Sequence, residues 1–347
     1  MNFKRKLCVA SYIVSIFVSG VIAEAGYSAT LGKLAENEIL MSSEMSGFYL
    51  VGGHEQLVLF GAADNQVTAS AYKRINDYDT YYFQRQSNYS LLRTRPAALL
   101  AKNMGDARVV LNASFYSYFR RNHYTYDKIY TDTSDAPIEN ISNTRSVIAD
   151  FRPEIEIFAR YRQFFIGIKQ MPLLNYKKLS GYFAGDTDAL DKSLAQEYNS
   201  GVSLNGKTLA LVYAASSTYK KWSIKYFQAI EGGYLFANSY LMKSSQDTGY
   251  KIYASAKYLK FFNIYKSAIL GLRLSGSGYE TGDNLTVELL PGLKKDNFYF
   301  YFIIGGNHRF ASDEARVNVS MPGFTAGYGN FVVKWDGAGT LFYKVKF

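Results

Sequence analysis

Between Val147 and Arg162 the side chains alternate so regularly that few environments can receive them. Val147, Ala149, Phe151, Ile155, Ile157, Ala159 and Tyr161 share one face of an extended chain. Asp150, Arg152, Glu154, Glu156, Arg160 and Arg162 share the other. A packed soluble core does not accept six charges on one strand face. The charged face therefore meets water, and the apolar face meets something greasy. The same period of two governs GTLFYKVKF, where Leu341, Tyr343, Val345 and Phe347 oppose Thr340, Lys344 and Lys346, with Phe342 the one exception.

The pattern recurs along most of the chain. Val109, Leu111, Ala113 and Phe115 alternate with Val110, Asn112, Ser114 and Tyr116, and Phe164, Ile166 and Ile168 share one side after a tight connection near Arg162. FYLV (48–51), QLVLFGA (56–62), QVTASAYKR (66–74) and DTYYFQRQ (79–86) read as short strands. Asn205-Gly206, between EYNSGVSL and KTLALVYAA, is a strong hairpin signal. Residues 87–106 break the rhythm and read as a loop, a short helix or a luminal insertion, and 172–196 form the longest central interruption.

Such segments number about 14–18, with 16 favoured as an even count, and about 20 residues per strand and connection exceed the ~9–11 that a tilted crossing strand needs. Abundant Tyr (31) and Phe (24) with only 6 Pro suit such strands. A mean hydropathy of −0.14 despite 48% hydrophobic residues is what alternation produces. A soluble sandwich or propeller would not tolerate outward faces so nearly free of charge. The expected fold is all-β, a closed antiparallel transmembrane β-barrel.

At the start, Lys4, Arg5 and Lys6 precede an apolar run from Leu7 to Ala23 that closes on small residues, the pattern of a signal peptide over 1–23. A single membrane anchor is the competing reading of this run. Its removal would take away Cys8, the one cysteine, and lower the formal charge from +10 to +7. A disulfide scaffold, a thiolate metal site and a cysteine nucleophile are then excluded. Residues 24–46 show no alternation and read as an N-terminal arm or short helix, and the barrel is expected over 47–347.

With the leader, the alternating aromatic strands from about residue 47, and the terminal Gly339, Leu341, Tyr343, Val345 and Phe347, the chain resembles the outer-membrane β-barrel proteins of Gram-negative bacteria, porins in particular. The resemblance implies short periplasmic turns, longer outer loops and aromatic girdles, which Trp222 and Trp335 would suit. It also implies that Tyr343, Val345 and Phe347 form the insertion signal. Outer-membrane lipids, the barrel-insertion machinery and small solutes are the implied partners, with a homotrimer as one assembly left open.

A barrel of this size leaves an aqueous channel unless something plugs it. With the apolar set outward, the lumen receives Asp150, Arg152, Glu154, Glu156, Arg160, Arg162, Lys225, Lys251, Lys257, Arg273, Glu288, Lys344 and Lys346. From residue 220 onward that set is mostly basic, which focuses field toward anions and predicts a weakly anion-preferring diffusion channel. Lys177, Lys178, Asp186, Asp188 and Asp191 lie in the best candidate for a loop that folds inward as a constriction, with a simple outer-surface loop equally open. Asp186, Asp188 and Glu197 approach calcium-loop spacing, but Leu190 and Asp191 stand where a ligand and a glycine belong, so no metal is assigned.

Three histidines and no GxSxG elbow argue against an enzyme, and no cofactor or nucleic-acid motif is present. Two other readings stay open. One is a carrier of hydrophobic substrates plugged by 24–46. The other is a surface antigen or adhesin acting through outer loops.

Overall fold

A computed structural model describes residues 29–42, 44–76, 81–130, 138–181, 187–245, 249–279, 282–310, 315–319, 322–336 and 339–346. The leader, Asp186 and Phe347 lie outside the described residues. Two short helices come first, α1 (Ala29–Met41) and α2 (Ser46–Gly52). Six long strands follow: β1 (Gln56–Asn76), β2 (Tyr81–Met104), β3 (Ala107–Tyr130), β4 (Ile138–Tyr161), β5 (Phe164–Gly181) and β6 (Thr187–Leu204). The wall continues with β7 (Lys207–Ala215), β8 (Tyr219–Ile230), β9 (Gly233–Ser244), β10 (Lys251–Tyr265), β11 (Ala268–Tyr279) and β12 (Gly282–Lys295). It ends with β13 (Phe298–Phe310), β14 (Ala315–Val319), β15 (Gly323–Tyr328), β16 (Phe331–Trp335) and β17 (Gly339–Lys346).

Apart from β14 and β15, each strand pairs antiparallel with its sequence neighbours, and β1 pairs with β17 from Gln56↔Lys346 to Ala63↔Gly339, which closes the wall. β14 and β15 both lie against β13 and form two segments of one stave, so the barrel has sixteen.

The strands reverse at one rim through two-residue turns, each with a residue at positive φ: Gly105, Arg162, Asn205 with Gly206, Gly232, Lys266, Asp296 and Gly329. Such turns match the right-handed twist of the strands they join. Both Gln56 and Lys346 lie at this rim. Connections at the opposite end, 216–218 excepted, fall wholly or partly outside the described residues. Strands β1 to β6 run 18–24 residues, about twice what a membrane crossing requires, and carry the wall beyond the bilayer at that end.

The outward face is apolar. Ile155 and Ile157 on β4, Ile166 on β5, Leu211 on β7 and Ile224 on β8 are exposed, Ile166 to 67% and Leu211 to 61%. Exposed Tyr161 and Tyr265 at the tight-turn rim sit beneath Arg162 and Lys266, 5.4 and 5.1 Å from the ring centroids, as amphipathic rings do where lipid tails meet headgroups. At the other end of the belt Trp222 stacks on Tyr213 with centroids 4.4 Å apart.

Inside, the wall carries a second apolar belt near the tight-turn rim. Val58, Val110, Phe158, Phe165, Phe227, Phe261, Tyr301 and Phe342 point inward and are buried against the two helices. The chain enters the lumen at this rim, where Leu31 lies against Gly232 and Lys33 donates to the Gly329 carbonyl. It climbs to Glu44, which pairs with Lys257 on β10, then descends through α2. There Arg160 Nη1 donates to Val51 O (2.8 Å), and Arg108 donates to Leu50 O and His54 O (2.7 Å each).

Residues 48–51, expected as a strand, therefore belong to α2, and the wall begins at Gln56, not at residue 47. Phe48 packs edge-on to Phe158 (5.9 Å), and Gly47 lies so close to the wall that a Cβ would sit 2.6 Å from Glu156 Oε2. A short apolar run does not distinguish strand from buried helix by period, and here the lumen decided it. Phe342, the exception to alternation in the terminal strand, is completely buried in this inner belt. Residues 87–104 are the continuation of β2, interrupted at Pro96 only in its ladder with β3.

The two tryptophans, Trp222 and Trp335, are both exposed on the outer face. In vesicles containing brominated phospholipid their fluorescence should be strongly quenched, while a water-soluble quencher should reach them poorly. The reverse ranking would contradict lipid contact.

Candidate functional site

Helix α1 is buried on almost every side, although it carries Glu36, Asn37 and Glu38 in succession. Burying such groups is costly unless each finds a partner. The wall supplies them. Lys344 Nζ donates to Glu36 Oε2 (2.7 Å) and Asn37 Oδ1 (3.1 Å), and Asn37 Nδ2 donates to the Tyr299 hydroxyl (2.7 Å). Glu38 accepts from Arg273 Nη2 (2.7 Å), Lys334 Nζ (3.5 Å) and the Tyr301 hydroxyl. Tyr49 on α2 donates to Glu36 (2.8 Å) and ties the two helices together.

Burial alone would raise the Glu38 carboxyl, but Lys334 and Arg273, with the Tyr301 O–H, outweigh it and hold the group at about 2 against an ordinary 4.5. Burial and Glu36 push the Tyr49 hydroxyl up.

Above the tip of this plug lies a cavity of about 390 Å³, lined from the plug by Glu44, Gly47 and Phe48. The wall contributes Arg95 (β2), Tyr116 (β3), Arg152, Glu154 and Glu156 (β4), Lys169 (β5), Glu197 (β6), Lys221 and Lys225 (β8), and Phe236 and Asn238 (β9). Prolines shape it. The β2–β3 ladder skips Arg95 and Pro96, and the β4–β5 ladder skips Arg152–Glu154 opposite Met171–Leu173, where Pro153 and Pro172 lie. Irregularities of this kind re-aim side chains beside a site.

Most charges here are matched. Lys169 pairs with Glu154 (3.0 Å) and Lys225 with Glu197 (3.0 Å), and Asn112 donates to Glu156 (3.1 Å). Arg152 lies 3.5 Å from Asp150 and over the Tyr116 ring (5.7 Å).

The sequence-expected lumen residues separate into groups. Glu154, Glu156, Arg152 and Lys225 line the cavity, with Asp150 beside it. Arg160, Lys257, Arg273 and Lys344 hold the plug, and Glu288 braces Arg273 (2.8 Å). Lys251 is exposed at the end of β10 away from the tight turns, and Lys346 ends the described part of β17. Arg162 is a turn residue at the rim, 3.8 Å from Asp106, and does not face the lumen.

Among the described residues, the segment expected as a constriction loop is strand rather than an inward loop. Lys177 and Lys178 pair with Ala189 and Asp188, and Asn175 with Asp191, so the segment extends the β5–β6 hairpin upward. Backbone groups satisfied by a ladder have no reason to fold into the lumen. Narrowing comes instead from α1 and α2. Tyr343 and Val345 share the outward side of β17 with exposed Leu341.

Sequence reasoning missed Arg95, Lys169, Glu197, Lys221 and Asn238. Lys169 and Glu197 do have the parity opposite to outward Ile166 and Tyr198, which was the available signal. The contacts of Glu36, Glu38 and Glu44 with the wall had no local signal, because their partners there lie 213–308 residues away.

A closed antiparallel wall, greasy outside and polar within, with tight turns at one rim and tall strands at the other, defines a transmembrane β-barrel of the bacterial outer-membrane type. No family model and no curated protein matches the chain. Solved structures align with it loosely. The unliganded ferric citrate transporter FecA has 8% identity and a TM-score of 0.44 over 84% of this chain, which spans 59% of FecA. OccK7 (OpdD) of Pseudomonas aeruginosa has 8% identity and a TM-score of 0.36, covering 84% of this chain and 99% of that one. A mutant Rh. blastica porin has 14% identity and a TM-score of 0.31, covering 84% and 98%.

Because the Glu38 carboxyl is held below its ordinary value, its contribution to plug docking is complete above about pH 4.5 and is lost as pH falls toward 2. Pepsin should therefore cut within 29–52 increasingly over that range. At neutral pH, Glu38→Gln should speed tryptic cleavage at Lys33, the one basic residue of 29–52, about tenfold or more, because Arg273 and Lys334 lose their shared counter-charge.

Proposed function

We propose that this chain is an outer-membrane channel for small hydrophilic solutes that α1 and α2 hold shut, and that it conducts when they leave the lumen. The observation that carries the reading is the set of ion pairs from Glu36, Glu38 and Glu44 on the plug to Lys344, Arg273, Lys334 and Lys257 on the wall. A plug meant only to fill space would be held more simply by apolar packing, since buried ion pairs add little net stability. Charged docking suits a contact that must be made and broken in water.

The expected anion preference takes a specific form under this reading. While docked, the plug neutralises the basic wall. Withdrawal removes three carboxylates together and uncovers Lys257, Arg273, Lys334 and Lys344, of which Arg273 keeps Glu288 and Lys334 keeps Asp336. Anion preference then belongs to the open state. Carriage of hydrophobic substrates past the same plug is less well supported, because nine charged side chains line the cavity above it.

In planar bilayers the intact protein should show low, intermittent conductance, and a variant lacking residues 29–52 should conduct steadily with an anion-biased reversal potential. A Glu44→Cys, Lys257→Cys variant joined by a reducible bifunctional cross-linker should show no openings until the linker is cut. Full conductance with the linker intact would refute the gate.

A further inference from the structure

The cavity above the plug tip has a charge imbalance that its own residues do not resolve. Each of its four carboxylates has a partner: Glu154 has Lys169, Glu156 has Asn112, Glu197 has Lys225 and Glu44 has Lys257. Of its five basic groups, Lys169, Lys225 and Arg152 are likewise paired. Arg95 and Lys221 make no ion pair among the described residues, and Lys221 instead lies 4.6 Å over the Tyr240 ring. Asn238 adds a side-chain amide to the same lining. Two cations without an ion pair in a space of about 390 Å³ together describe a site for a small anionic molecule.

We infer that this cavity binds a small solute with an anionic group at one end and hydroxyls at the other, the anion held by Arg95 and Lys221 and the hydroxyls facing the Asn238 side of the lining. The inference rests on the gated-channel reading and deepens it, because the site lies between the tall outer end of the barrel and the plug. A solute arriving from that end reaches Arg95 and Lys221 before it meets the obstruction. Glu44, Gly47 and Phe48 belong to both plug and cavity, so occupancy and docking share a surface. The carboxylates Glu154, Glu156 and Glu197 on the same walls disfavour a simple dianion, and because Glu156 has only the neutral Asn112 as partner it offsets one of the two cations, leaving a single positive charge that a monoanion matches.

The test uses the purified full barrel in detergent and D-gluconate as the probe, a monoanion bearing several hydroxyls, with D-glucose as the uncharged control. Calorimetry should show gluconate binding at least tenfold tighter than glucose, with an affinity that falls as salt rises. Arg95→Gln and Lys221→Gln should each weaken gluconate about tenfold, and Asn238→Leu should weaken both sugars. Heat-dependent gel mobility would confirm that each variant has folded. Equal binding of the two sugars, absence of gluconate binding, or unchanged affinity in the folded arginine and lysine variants would overturn the site. Binding is measured again with the plug cross-linked through positions 44 and 257. Retained binding in a protein that never conducts, even without residues 29–52, would sink the channel reading alone. Normal gating without gluconate binding would sink only the present inference.

Discussion

Hydrocarbon offers a peptide N–H or C=O no hydrogen-bond partner, and the rest of this structure follows from that deficit. An open sheet in lipid would leave two rows of polar groups bare along its edges. The eight-residue register between β1 and β17, Gln56↔Lys346 to Ala63↔Gly339, removes both edges by joining the first and last strands. Once the wall is closed, alternation has only two destinations for a side chain. Ile155 and Ile157 go to lipid, and Glu154 and Glu156 go to the lumen.

Closure at sixteen staves creates a second problem, a hollow too wide for side chains to fill. The chain answers it with its own N-terminal residues. Near the tight-turn rim the lumen behaves as a protein core, with Phe158 wedged between Phe48 and Phe165 at 5.9 Å from each. A few residues higher it becomes polar, where Glu154, Lys169, Glu197 and Lys225 form their pairs. The barrel thus holds a dry floor and a wet, charged chamber above it. The boundary between them is the turn from α1 into α2.

The wall was legible in the sequence because strand periodicity needs only neighbours two residues apart. The stretch from Val147 to Arg162 declares its two faces without any knowledge of the remaining chain. The plug was not legible for the opposite reason. FYLV satisfies strand and buried helix equally, and what decides between them is the space left inside a wall that forms from residues 56–346. Phe342 read as an error in alternation because its partners are helices rather than lipid. The β5–β6 segment read as an interruption because Lys177, Asp188 and Asp191 rise above the membrane, where no greasy face is required. Arg95 was hidden by Pro96, which suggested a broken strand although it costs only local ladder bonds with β3.

The path of α1 and α2 has a topological consequence. The described chain starts at the rim beside Gly232 and Gly329 and leaves at the same rim beside Arg108, so residues 29–55 form a looped finger. Extracting it ruptures no rung between adjacent staves, and the cylinder stays shut while its stopper is out. Biogenesis inherits the same freedom: the shell can be completed first and corked afterwards.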